Sequence, residues 1–173
     1  MTSNPVLDAI FSRRSVREFE DRAVDPHLIR KVIEAGMWAP SGLNNQPWRF
    51  AVVTSTEMIA RFEPLTRYSR VIRSARVLIP VFVDSDAMYH EVKDHQAMGA
   101  CIQNMLLAVH SLGLGAVWLG EILKSEAEIR ELLGLGDNLN LMAVIALGWP
   151  VEKERRSSRK SLEDLVVYKD CEI

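Results

Sequence analysis

The 173-residue chain has only two cysteines, Cys101 and Cys171, too few for a disulfide framework or a Cys-rich metal site. Cys101 falls inside an apolar helical pattern, where a buried, inert thiol is expected, and the scarcity of thiols points to a reducing compartment. An excess of one charge sign is also missing. Twenty-one Lys+Arg against 23 Asp+Glu leave a net charge of −2, so no global field draws the chain to nucleic acid or to an anionic membrane. Any anion binding must be local. No stretch reaches the ~20 apolar residues that a membrane span needs. The N-terminal MTSNPVLDAIFSRRSVREFE has no uninterrupted apolar h-region, so a cytoplasmic protein is expected. Patterns of the types G-x-G-x-x-G, Walker loop, H-E-x-x-H and G-x-S-x-G are absent. His27, His90, His95 and His110 sit in helical contexts, and the spacing of His90 and His95 fits an i, i+4 metal pair poorly. No metal and no protein nucleophile are expected, and an enzyme built this way borrows its reactive group.

What the chain does have is a core. With 48% hydrophobic and 25% charged residues it reads as one compact domain rather than two. Asn4-Pro5 is a helix-start signal, followed by an apolar stripe of Val6, Leu7, Ile10 and Phe11. Asp25-Pro26 repeats the signal for a second helix that stops near Gly36. Arg49 to Thr54 is a short strand, and a polar, partly helical stretch runs from Thr56 to about Ser74. Val77 to Val83 is a buried strand in which Pro80, unable to donate to a ladder, suggests an edge position or a bulge. The longest helical pattern covers Met88 to Leu112 and ends at Gly113 and Gly115. A strand over Ala116 to Leu119 follows, then a helix opened by a Ser125/Glu128 capping box and closed near Gly134, then a buried strand over Leu141 to Leu147. Interleaved helices and strands give an α+β or α/β domain with a mixed sheet flanked by helices. After Pro150 the run from Glu152 to Ser161 is charged and has no apolar residue. Leu162, Leu165, Val166, Val167 and Tyr168 beyond it read as an extended arm ending in an anchor.

Four segments carry residue types suited to chemistry. Arg13-Arg14-Ser15-Val16-Arg17 offers three guanidinium groups and a hydroxyl, the donors a phosphate monoester needs, although a solvated basic helix end reads equally from these residues. Pro40-Ser41-Gly42-Leu43-Asn44-Asn45-Gln46-Pro47-Trp48 is a loop able to give donors and acceptors to a flat heterocycle. An ordinary turn accounts for its Pro and Gly but not for Asn44, Asn45, Gln46 and Trp48 together. Gly113 to Glu121 reads as a helix stop and a strand, with Gly120 placed where a ring could stack against backbone and Trp118 in the core. Arg159-Lys160 is a basic pair in a charged run, by itself a solvent-facing feature.

In this order the four segments resemble the nitroreductase family. The likeness is carried by Arg13-Arg14-Ser15-x-Arg17, Pro40-Ser41-x-x-Asn44-x-Gln46-Pro47-Trp48, Gly113-Leu114-Gly115-x-x-Trp118-Leu119-Gly120 and Arg159-Lys160, and it covers essentially the whole chain. Gly120 stands before Glu121 where many members have an acid followed by Gly, which is similar to the shorter branch of the family.

The resemblance implies a nitroreductase-like α+β fold in an intertwined homodimer, with residues 1–150 as the FMN-binding domain. Residues 151–173 would be an arm that adds to the flavin phosphate site and the dimer interface. It implies FMN as cofactor and NADH or NADPH as reductant. Arg13, Ser15 and Arg159 would lie at the phosphate and Arg17 at the N1/O2 edge of the ring, with Arg14 also among the cofactor-binding residues. Pro40, Ser41, Gly42 and Asn44 would contact the flavin held mainly by the partner, with Leu119 and the Gly120 N–H near N5. The implied activity is ping-pong reduction of nitroaromatics, quinones or similar electron-poor acceptors. Dehalogenation, ene reduction or flavin breakdown on the same scaffold, or FMN binding without turnover, stay open at this point.

Overall fold

The computed structural model describes residues 4–151 and 156–171. In chain order the elements are α1 (Pro5–Ser12), α2 (Pro26–Met37), β1 (Trp48–Phe50), α3 (Thr56–Phe62), α4 (Ser69–Ser74) and β2 (Val77–Asp84). They continue with α5 (Glu91–Ser111), β3 (Gly115–Leu119), α6 (Glu126–Leu133) and β4 (Leu139–Gly148). The strands form one sheet in the order β1-β2-β4-β3, and every neighbouring pair is antiparallel. The expected mixed sheet is therefore corrected. Among the described residues the only parallel pairing is the isolated bridge between Ser15 and Ala116.

The sheet is covered on both faces, which explains why β2 and β4 read as near-continuous apolar runs instead of alternating ones. Val77, Ile79, Val81 and Val83 pack with Val32, Met98, Ile102 and Met105 of α2 and α5. Leu78 and Phe82, on the opposite face, join Phe62, Ile72 and Ile129 of α3, α4 and α6. Pro80 lies inside this sheet, not at its edge, and pairs with Val144. Its carbonyl accepts from the Ala51 N–H at 3.0 Å, but it has no N–H to return. The ladder therefore breaks after Phe50 and resumes only at the Val53–Leu78 bridge, so the expected six-residue strand is cut to three. A bulge does occur nearby, between Val81 and Phe82.

The helix signals divide. Asn4 accepts from the N–H groups of Val6 and Leu7, Asp25 accepts from that of His27, and Gly134 closes α6 at φ 64°. The Ser125 capping box does not form. A 3-10 turn over Glu121–Ser125 runs straight into α6, so Ser125 lacks the extended backbone of an N-cap and makes no capping bond. α2 ends at Met37, close to Gly36 as expected, and Gly36 has a packing role as well. A Cβ there would sit 2.7 Å from Met105 Cγ, so glycine lets α2 approach α5. No helix among the described residues is long and apolar enough to cross a membrane.

Cys101 lies in the α2/α5 layer with no exposure, and burial pushes its thiol up to about 12. Cys171 is exposed. Since the thiolate is the reactive form, a maleimide is expected to label one thiol per native chain and two after unfolding. Two labels on the native protein by mass spectrometry would contradict this packing.

Candidate active site

The basic segment leaves the helix at Ser12. Arg13 turns the backbone (φ −54°, ψ 128°), and the following residues lie along β3, with the Val16 N–H donating to the Ala116 carbonyl at 2.9 Å. In an extended segment side chains alternate, so Val16 enters the core while its neighbours do not. This explains Gly115, which sequence reasoning took as part of a helix stop. A Cβ there would lie 2.8 Å from three atoms of Val16. Gly113 alone, at φ 75°, is the stop.

Between this segment, the end of α5 and the start of β3 lies a cavity of about 390 Å³. Ser12, Arg13, Arg14, His110 and Pro150 line it with apolar neighbours, and no carboxylate among the described residues does. Arg14 Nη1 donates to the carbonyls of Phe11 (2.6 Å) and Arg13 (3.0 Å), so half of its fork caps the helix end. The Nε groups of Arg13 and Arg14 are buried and have no partner among the described residues. An unpaired buried donor on a charged group costs at least about 1–3 kcal/mol, which an incoming anion would offset. Ser12 Oγ donates to the Asp8 carbonyl at 2.6 Å and lies 2.7 Å from His110 Nε2, so that nitrogen is the donor between them. Ser15 is half-buried beside this cavity, while Arg17 and Arg159 are exposed. Arg159 donates only within the tail, to Ser157 and Ser158. One chain therefore brings together Arg13 and Arg14 and leaves Arg17 and Arg159 outside.

The second segment forms a strained loop. Leu43, Asn44 and Gln46 all have positive φ (54°, 55° and 47°), a region that residues other than glycine seldom adopt. Ser41 Oγ accepts from the Gln46 N–H, and Asn45 Nδ2 donates to the Ala87 carbonyl and to Asp94. Asp94 is fully buried at the start of α5. Burial alone would raise its carboxyl, but donors from His90, Asn45 and Tyr89 hold it below the ordinary value. Strain held in place by such a buried hub makes the loop a candidate site. Pro40, Ser41 and Gly42 border a second concavity of about 260 Å³ with Lys93, Gln96, Ala97 and Ala100. Asn44 is exposed beside it.

The two concavities lie on different parts of α5. Gln96 lines one and Val109 the other, roughly 20 Å apart at about 1.5 Å of rise per residue.

At the end of β3, Leu119 is buried and Gly120 exposed, and the Gly120 N–H has no acceptor among the described residues. Trp118, expected in the core, is 40% exposed because β3 is an edge strand. Glu121 accepts from Thr66 Oγ1 (2.7 Å) and the Arg67 N–H (3.1 Å) and pairs with Lys124 (2.6 Å). Hydrogen bonds from Lys124 and Thr66, the largest influences, lower it from 4.5 to about 2. A depressed carboxyl stabilises the fold above its unfolded value and ceases to do so as the pH falls from there through the folded value. Glu121→Gln is therefore expected to lower the urea midpoint at pH 7, with the gap from wild type closing between pH 4.5 and about 2. An undiminished gap at pH 2 would show that the charge is not the cause.

The model of the nitroreductase family matches residues 10–69 and 65–149. The chain belongs to the nitroreductase family. It is an NAD(P)H nitroreductase-type oxidoreductase, and each of the four segments quoted above lies in or beside the matched span except the tail pair. This nitroreductase is 40% identical over 149 residues to a Methanothermobacter thermautotrophicus protein named "Putative NADH dehydrogenase/NAD(P)H nitroreductase", covering 85% of this chain and 78% of that one. It is 28% identical over 159 residues to the NADPH-flavin oxidoreductase of Vibrio harveyi, covering 85% and 66%. Among solved structures, a Desulfovibrio desulfuricans protein described as "a putative nitroreductase in complex with fmn" has a TM-score of 0.90 and 48% identity. That match covers 97% of this nitroreductase and 98% of the other chain.

Ser12 and His110 were not singled out from sequence, because nothing local shows that the ends of α1 and α5 meet. The role of Glu121 as a clamp on the Thr66 turn depends likewise on long-range packing.

Proposed function

We propose that this chain is an FMN-dependent NAD(P)H oxidoreductase that acts as a homodimer on nitroaromatics, quinones or similar small electron-poor acceptors. The observation that carries the proposal is the cavity in which Arg13 and Arg14 keep buried Nε donors with no partner, and no lining carboxylate, among the described residues, since this donor set fits a phosphate monoester. The relative described with FMN, at 48% identity, supports the choice of flavin. Arg13, with Arg14 and Ser15, would hold the phosphate, and Arg17 would bring its cation to the ring edge. The Gly120 N–H, which has no acceptor among the described residues, would orient the ring's polar edge. When bound, FMN supplies reversible two-electron chemistry between reductant and acceptor. The protein's part is to bind, orient and exclude water.

The separation along α5 supports the homodimer. The cavity beside Arg13 and the concavity beside Ser41 are too far apart for one small ring in one chain. A second copy would bring Pro40, Ser41, Gly42 and Asn44 to the flavin held by its partner. Arg159, unengaged with its own cavity, would reach its place through the arm. Residues 152–155 of that arm lie outside the described residues.

The test is direct. Purified protein is expected to be yellow, to release FMN on denaturation and to oxidise NADH or NADPH when given a nitroaromatic or quinone. Reductant and acceptor would use one mouth in turn, so double-reciprocal plots at several acceptor concentrations are expected to be parallel. Intersecting lines would show a ternary complex and remove the single-mouth mechanism. FMN retention without turnover of any acceptor would favour a binding protein instead.

A further inference from the structure

Lys93 lines the concavity beside the strained loop and has no carboxylate partner among the described residues. Its ammonium instead stands 5.5 Å from the centre of the Tyr89 ring. Tyr89 is held from the other side too. A Cβ on Gly42 would fall 2.0 to 2.4 Å from its hydroxyl and ring carbons, so the phenol lies directly on the Gly42 backbone. The Tyr89 main chain is fixed by its N–H bond to Asp94 at 2.9 Å, the carboxylate that also anchors Asn45. Ring, loop and ammonium are thus built onto one buried hub. Tyr89 nevertheless keeps 41% of its surface open.

We propose that Tyr89 and Lys93 form a wall of the acceptor pocket and favour planar, electron-poor acceptors that carry an anionic group, of the nitrobenzoate class. The inference rests on the dimeric flavin reading, because Pro40, Ser41 and Gly42 would face the partner's flavin and the adjoining concavity would then open beside that ring. An electron-poor ring stacks well on an electron-rich phenol. Ala97 and Ala100 line the adjoining concavity with small side chains, and Gln96 adds an amide. Lys93 supplies an unneutralised cation. Of the nearby acids, Asp94 is buried and saturated by three donors, and Glu91 is exposed two positions away on α5. At about 260 Å³ the space suits one substituted ring better than a dinucleotide. This assigns the cation to the acceptor and not to the phosphates of NAD(P)H.

The experiment compares kcat/KM for 4-nitrobenzoate and its neutral counterpart 4-nitrobenzamide with the flavin-loaded dimer, using NADH and then NADPH. Wild type is expected to favour the anion by about three- to fivefold at low salt, the scale of one exposed charge pair, and less at high salt. In Lys93→Met the ratio is expected to fall to about one, and in Lys93→Arg to be kept. Tyr89→Leu is expected to raise KM for both acceptors while the flavin content stays full. A wild-type ratio near one, or a ratio that survives Lys93→Met, overturns the proposal. So does a Lys93→Met defect confined to flavin reduction by NADPH, which would move the cation to the reductant. Absence of FMN, or of turnover with either acceptor, removes the underlying reading, and that failure is distinct from a flat ratio in an active enzyme.

Discussion

Arg13→Ala is expected to weaken FMN binding by about 10- to 100-fold and to leave the already weak binding of riboflavin unchanged. The side chain lines the cavity, and among the described residues its buried Nε has no partner and no lining carboxylate competes for it. Charge-assisted hydrogen bonds contribute roughly 1.5–3 kcal/mol each, and about 1.4 kcal/mol is a factor of ten. Arg14→Ala should act in the same direction with a further cost in stability, because Arg14 also caps the end of α1 through the carbonyls of Phe11 and Arg13. Riboflavin lacks the phosphate and supplies the control. Fluorescence titration of both ligands against both variants checks the assignment. Equal losses for FMN and riboflavin would mean that Arg13 supports the fold and not the phosphate.

The second large effect concerns assembly. The double substitution Leu7→Glu with Phe11→Glu is expected to convert a dimer into a monomer by light scattering at micromolar concentration, and to strip the flavin with it. α1 buries none of its residues in its own chain, and Phe11 is 69% exposed. A regular amphipathic helix with its apolar stripe in water is a costly arrangement at roughly 25 cal/mol per Å². The tail behaves alike. Leu162, Leu165 and Tyr168 are exposed, and Val167 is 100% exposed, so the anchor read from the sequence finds no seat on its own domain. A C2 dimer would cover both surfaces twice over. A variant that stays dimeric and yellow would place the interface elsewhere.

Much of this molecule was legible in its residues because the signals were local. Asn4 and Asp25 cap helices through bonds to residues two or three positions on, and Gly113 and Gly134 stop helices by adopting backbone angles that other residues resist. The apolar runs of β2 and β4 are continuous because both faces of the sheet are covered, and that continuity is visible without coordinates. Of the four candidate segments, Pro40 to Trp48 stood out by residue type, while Arg159-Lys160 gained meaning only beside the other three. Local signals also misled where a neighbour in space took precedence. Ser125 had a capping partner at the right spacing but was reached through a 3-10 turn, and Trp118 had an apolar setting but fell on an edge strand.

Taken by itself, then, the sequence determined the family, through the order of four segments along the chain, and most element positions, which depend on contacts or spacings within a few residues. Only the tertiary structure decided which of the residues meet. It joined Arg13 to His110 and Ser12 across the ends of α1 and α5, tied Glu121 to Thr66, and put Tyr89 on Gly42 beside Lys93. It also set the two concavities roughly 20 Å apart on one helix, since 1.5 Å of rise per residue leaves little freedom along α5. Such meetings are fixed by the packing of whole elements, and no short window of sequence contains both partners.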